Sequence, residues 1–60
     1  MHEANEVIDG LWTIRQETST QLVSLLYCGR LALTVNEDRM LSLEELRRLL
    51  LVKREELRNE

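Results

Sequence analysis

Side chains able to do chemistry are few in this sequence. One His, one Cys, one Trp and one Tyr occur in 60 residues. His2 and Glu6 are spaced to touch one metal ion, but two donors at a fraying terminus do not make a site. No zinc motif, phosphate loop or Ser-His-Asp set is present. Cys28 has only Arg30 as a cationic neighbour and borders the apolar side of a helical wheel. It therefore reads as a buried structural thiol, not a nucleophile. The expectation is a chain that is not an enzyme, with no catalytic, cofactor or metal site.

Binding chemistry is better supplied. Arg47, Arg54 and Arg58 line one flank of the C-terminal apolar seam, with Leu51 among them. Such a stripe suits an acidic patch or phosphate, although Glu44 and Glu55 lie close enough to form intrahelical pairs. Trp12 sits at the edge of an apolar arc, where it either packs in the core or serves as a hot spot for a protein. Tyr27 falls on the polar side. Arg15 lies inside the apolar arc and opens the polar run Arg15–Gln21. Two roles fit it: pairing with a Glu to fix register, or reservation for an acidic or phosphate partner. The candidate partner-binding residues are thus Trp12, Arg15, Arg47, Leu51, Arg54 and Arg58.

Two helices would position these residues. Ser42-Leu43-Glu44-Glu45 has the form of a capping box, and Leu41 with Leu46 forms a hydrophobic staple over the same start. Nothing breaks a helix from there to the C-terminus, so the spacing predicts one over about 42–59. On a wheel of about 100° per residue, Val7, Leu11, Ile14, Thr18, Leu22, Leu25, Gly29 and Ala32 stack on one side. Ile8, Trp12, Ser19, Leu26 and Leu33 adjoin them. That consistency predicts a second, longer helix over about 5–34. Gly10 and Gly29 count against it, and Asp9-Gly10 reads alternatively as a turn. Leu31-Ala32-Leu33-Thr34-Val35 also alternates like a strand, with a turn after it. The helical reading is preferred because Leu26, Gly29 and Leu33 keep helical phase. The expected fold class is all-α: an antiparallel two-helix hairpin in one domain over 1–60.

Size then implies a partner. A core below about 70–80 residues rarely supplies more than ~3–5 kcal/mol, and small domains add a disulfide, a metal or a second subunit. One Cys excludes an internal disulfide. The apolar arc of the long helix spans about 160°, wider than the ~100° that one neighbouring helix covers. Dimerisation into a four-helix bundle follows as the expectation. Its dimer and core positions would be Leu11, Leu22, Leu25, Leu26, Leu46 and Leu50.

Charge and hydropathy narrow the partner. Net charge is −3, with charged residues at 32% and hydrophobic ones at 43%, so no global basic field attracts nucleic acid. Residues 1–20 carry the whole excess, with Glu3, Glu6, Asp9 and Glu17 against Arg15. The longest apolar window, Val23 to Val35, is split by Ser24 and Arg30 and is too short to span a membrane. An acidic start without an export signal and a free Cys lead to an expectation of the cytoplasm. The expected function is a small protein-binding regulator, inhibitor or adaptor that acts as a homodimer. By size it suits a compact phage-type or bacterial modulator. The alternatives are a nucleic-acid-binding dimer that uses the Arg flank, and a structural subunit of a larger assembly.

Overall fold

A computed structural model describes residues 4–59. The chain forms four strands and one helix: β1 (Ala4–Asp9), β2 (Trp12–Glu17), β3 (Leu22–Tyr27), β4 (Arg30–Asn36) and α1 (Leu43–Arg58). The strands make one antiparallel sheet in the order β1-β2-β3-β4. This overturns the expected all-α hairpin and with it the four-helix bundle. The stretch 5–34, expected as one helix, is the sheet. The strand reading of Leu31–Val35 is realised in β4, with its alternation broken at Ala32, and Asp9-Gly10 is a turn.

The physical reason lies in the turns. Gly10 takes φ +63° and is the first of two residues joining β1 to β2, where a type II′ loop places glycine. Cys28 (φ +53°) and Gly29 (φ +81°) join β3 to β4, and two positive φ values are what a type I′ loop requires. Gln21 (φ 58°) closes the four-residue loop 18–21, and its N–H donates to the Glu17 carbonyl at 2.9 Å. Each of these conformations interrupts a helix and reverses a strand. β-Branched residues favour the result: nine of ten lie in 4–36, and only Val52 lies in the helix.

Register sorts the side chains into two faces. Asn5, Gln16, Val23 and Val35 form one inner row, and Val7, Ile14, Leu25 and Leu33 the next. Asp9, Trp12, Tyr27 and Arg30 form the third, at the hairpin-turn end. The helix packs on this inner face over β1 and β2. Ile14, Val23, Leu25, Leu41, Leu46 and Leu50 are buried between the layers, with Val7, Trp12, Leu33, Val35, Leu49 and Leu57 packed around them. Of the six expected dimer and core positions, Leu25, Leu46 and Leu50 lie in this core. Leu26 is half-buried on the opposite face, and Leu11 and Leu22 are exposed.

The helix starts where the capping box specifies. Ser42 Oγ accepts the Glu45 N–H at 3.2 Å, and Glu45 Oε1 accepts the Ser42 N–H at 3.0 Å. Leu41 and Leu46 are both buried in the core, as a staple requires.

A buried amide ties the sheet to the strap before the helix. Gln16 is the buried polar residue among those described. Its Oε1 accepts the Leu41 N–H at 2.8 Å, and its Nε2 donates to the Arg39 carbonyl at 3.0 Å and the Gln21 carbonyl at 3.4 Å. Asn5 Nδ2 donates to the Leu41 carbonyl at 2.7 Å. Both backbone groups of Leu41 are thus satisfied by strand side chains. Gln16→Leu keeps the volume but strands the Leu41 N–H and the Arg39 carbonyl, which should cost about 2–3 kcal/mol. Urea unfolding followed by Trp12 fluorescence measures this, and a midpoint equal to wild type would refute the latch. Asn5→Ala should cost about 1 kcal/mol in the same assay.

The strap is also held by charge. Arg39 Nη1 and Nη2 donate to the Glu45 carboxylate at 3.1 Å and 2.7 Å. These bonds, with the Ser42 N–H, lower the Glu45 pKa from 4.5 to about 2. A carboxyl depressed by folding stabilises the fold above its unfolded pKa and loses that contribution as pH falls through its folded pKa. The contribution of Glu45 should therefore be complete above about pH 4.5 and decay toward pH 2. Thermal melts across that window should show a flatter acid limb for Glu45→Gln. A limb identical to wild type would exclude Glu45 as its source.

Candidate partner-binding groove

The third inner row builds a groove against the C-terminal half of α1. Trp12 and Tyr27 lie opposite each other across β2 and β3, and their ring centroids are 4.7 Å apart at 48°. Cross-strand aromatic pairs at this distance hold both rings in place. From the helix, Leu51, Arg54, Glu55, Leu57 and Arg58 complete the walls around about 740 Å³ of open space. The result is an aromatic floor with aliphatic and cationic walls.

Electrostatics in the groove are mixed. Arg54 Nη1 donates to Asp9 Oδ2 at 2.7 Å, and both side chains are more than a third exposed. This pair docks the helix onto the end of β1 and fixes one guanidinium at the rim. Arg58 stands 3.8 Å from Glu55 and keeps 79% of its side chain exposed. It is the more available cation, since an exposed pair of that length contributes little. Register places Arg30 opposite Tyr27, at the same end of the sheet.

Four of the six predicted partner-binding residues meet here: Trp12, Leu51, Arg54 and Arg58. Arg47 is exposed on α1 and does not line the groove. Arg15 lies on the opposite face of the sheet. It pairs with Glu6 and Ser24 in register, and its Nη2 is 3.6 Å from Glu17 Oε1. Its side chain is 49% exposed, so it is not set within an apolar core as the helical wheel implied. Tyr27, expected on the polar side, belongs to the groove floor. Alternation along Val23, Leu25 and Tyr27 is the signal that places it there.

The remaining chemical candidates are dispersed. Cys28 is exposed in the β3–β4 turn, not buried as expected, because both turn positions need positive φ and face away from the core. His2 lies outside the described residues. Among the described residues no three His, Cys, Asp or Glu side chains cluster to hold a metal ion, and no helix is long and apolar enough to cross a membrane. A second hollow of about 300 Å³ lies between the strap and the helix, lined by Glu37, Arg39, Leu41, Glu45, Arg48, Leu49 and Val52. Its main cation, Arg39, is already bonded by Glu45. No family model matches the chain, and no similar curated protein or solved structure is found.

Proposed function

We propose that this chain is a small, non-enzymatic protein-binding regulator, inhibitor or adaptor of the cytoplasm. The groove formed by Trp12, Tyr27, Leu51, Arg54 and Arg58 carries the reading. Aromatic and arginine side chains dominate the energetics of protein interfaces, and here both types line one concave surface. The partner that fits is an extended or helical segment with an apolar anchor and carboxylates beside it. The anchor would rest on the two rings, and its carboxylates would reach Arg58 at the rim. Nucleic acid is the weaker reading, because Asp9 and Glu55 stand among the arginines and the chain carries a net −3.

Leu51 and Arg58 are exposed, so Leu51→Ser and Arg58→Glu should leave the fold intact. NMR titration with peptides carrying an aromatic anchor and flanking acids should perturb the Trp12, Tyr27 and Leu51 resonances. Each substitution should weaken that binding about tenfold. Uniform or absent perturbation would defeat the groove as the site. Fluorescence anisotropy with duplex DNA and structured RNA should show nothing tighter than roughly 10⁻⁴–10⁻⁶ M at physiological salt. Nanomolar, salt-steep binding would replace protein by nucleic acid as the partner.

A further inference from the structure

The helix covers one face of the sheet and leaves the other open. An antiparallel sheet with a solvated face is ordinarily polar on that side. One outer row, Glu6–Arg15–Ser24–Thr34, obeys this. The next, Ile8–Thr13–Leu26–Leu31, does not: it crosses all four strands with apolar side chains and one threonine. Ile8 and Leu31, at the two ends of that row, are each 63% exposed.

Leu31 is turned outward by a specific device. The register steps from Leu25↔Leu33 to Leu26↔Leu31, so Ala32 is an extra residue on β4. Without that bulge, alternation from Leu33 would point Leu31 toward the helix side. Bulges re-aim side chains, and this one completes the apolar row instead of the core.

We propose that two copies of this chain pair through these outer faces, about a twofold axis parallel to the strands. Such an axis lays β1 over the partner's β4 and β2 over its β3, with each row facing itself. Ile8 then meets Leu31 of the partner subunit, and Thr13 meets the partner's Leu26. The polar row is complementary under the same operation. Glu6 faces a threonine and Arg15 a serine, so no two like charges are opposed. The third outer row, Ala4–Glu17 and Leu22–Asn36, sets Leu22 against the partner's Glu17 at the far edge of the face, so the self-complementarity lies in the apolar band and the Glu6–Arg15–Ser24–Thr34 row. A second copy fits this face for that reason.

The small size of the face places the pairing among transient contacts. Four strands about 4.8 Å apart and six residues long at ~3.3 Å each give a face of about 400 Å² in projection. A standard interface takes about 800 Å² from each partner. The pairing should be a reversible dimer, with a Kd on the order of 10–100 µM, and not an obligate one.

Sedimentation equilibrium from about 10 µM to about 1 mM tests this, a range that brackets the expected Kd. The weight-average mass should rise from 7.1 kDa toward twice that value. Leu31→Glu should weaken pairing by at least about tenfold, since it buries an unpaired charge, while circular dichroism keeps the wild-type fold. Ile8→Lys alone should do the same. The double variant Ile8→Lys/Leu31→Glu should restore pairing, because the two positions face each other across the axis. A single-chain mass at every concentration overturns the proposal. So does a dimer indifferent to Leu31→Glu, which would use another surface. Failure of the double variant to recover, with both single variants folded, overturns the proposed axis.

Discussion

Gln16 has no accessible surface, and a buried primary amide is costly unless its donors and acceptor are all occupied. It is occupied by backbone from two places far apart in sequence: the β2–β3 loop at Gln21 and the strap at Arg39 and Leu41. The side-chain amide does for the strap what a neighbouring strand would do, accepting an N–H and donating to a carbonyl. Leu41 is held by its backbone on Gln16 and Asn5, and its side chain enters the core next to Leu46. The position of the helix follows, since Ser42 begins the cap one residue later. Among the described residues no buried side-chain polar atom is left without a partner, so the latch adds specificity without an orphaned group.

The helix was legible because its start is encoded locally. Ser42, Glu45, Leu41 and Leu46 fix it within five residues of one another, whatever packs above. The sheet was not, and the cause is arithmetical. Val7, Ile14 and Leu25 face the core from three successive strands, and they are seven and eleven residues apart. At about 100° per residue, those separations return to within about 20° of the same side of a helical wheel. Hairpin lengths thus imitate a helical period, and a wheel finds true core residues for the wrong reason. Leu11 and Gly29 joined the false stripe because the wheel does not distinguish a turn from a turn of helix, and Leu22 because the wheel does not separate the two faces of a strand. The discriminating signals were the Asp9-Gly10 and Cys28-Gly29 pairs and the concentration of β-branched residues before Glu37.

The groove was partly legible for a related reason. Leu51, Arg54 and Arg58 share one flank of a correctly placed helix, so their proximity needs no knowledge of the sheet. Trp12 required the sheet: it reaches the helix through the register Asp9↔Trp12↔Tyr27 and the Arg54–Asp9 bond that pins the helix end. Arg15 misled because the wheel assigns every residue of a strand one continuous circuit. In a strand, successive residues alternate sides, so Arg15 and its neighbours Ile14 and Gln16 point opposite ways. Gln16, unremarkable on a wheel, is the residue that alternation places in the core.

The groove and the apolar row lie on opposite faces of one sheet, and this bears on how they work together. Pairing of the outer faces leaves both grooves open and directs them away from each other. Sheets stack about 10 Å apart, and each helix adds a layer of about the same depth. The two groove floors would lie roughly 20 Å apart through the stacked sheets but open on opposite sides of them, so one short peptide segment would not fill both. A single short motif would therefore engage one groove, whereas a long or repeated partner would engage both. The second contact then becomes intramolecular, and its gain depends on the length between motifs rather than on any new interaction. A weak dimer under such a partner would be stabilised by it, because a ligand that bridges two subunits binds the paired state better than the single chain.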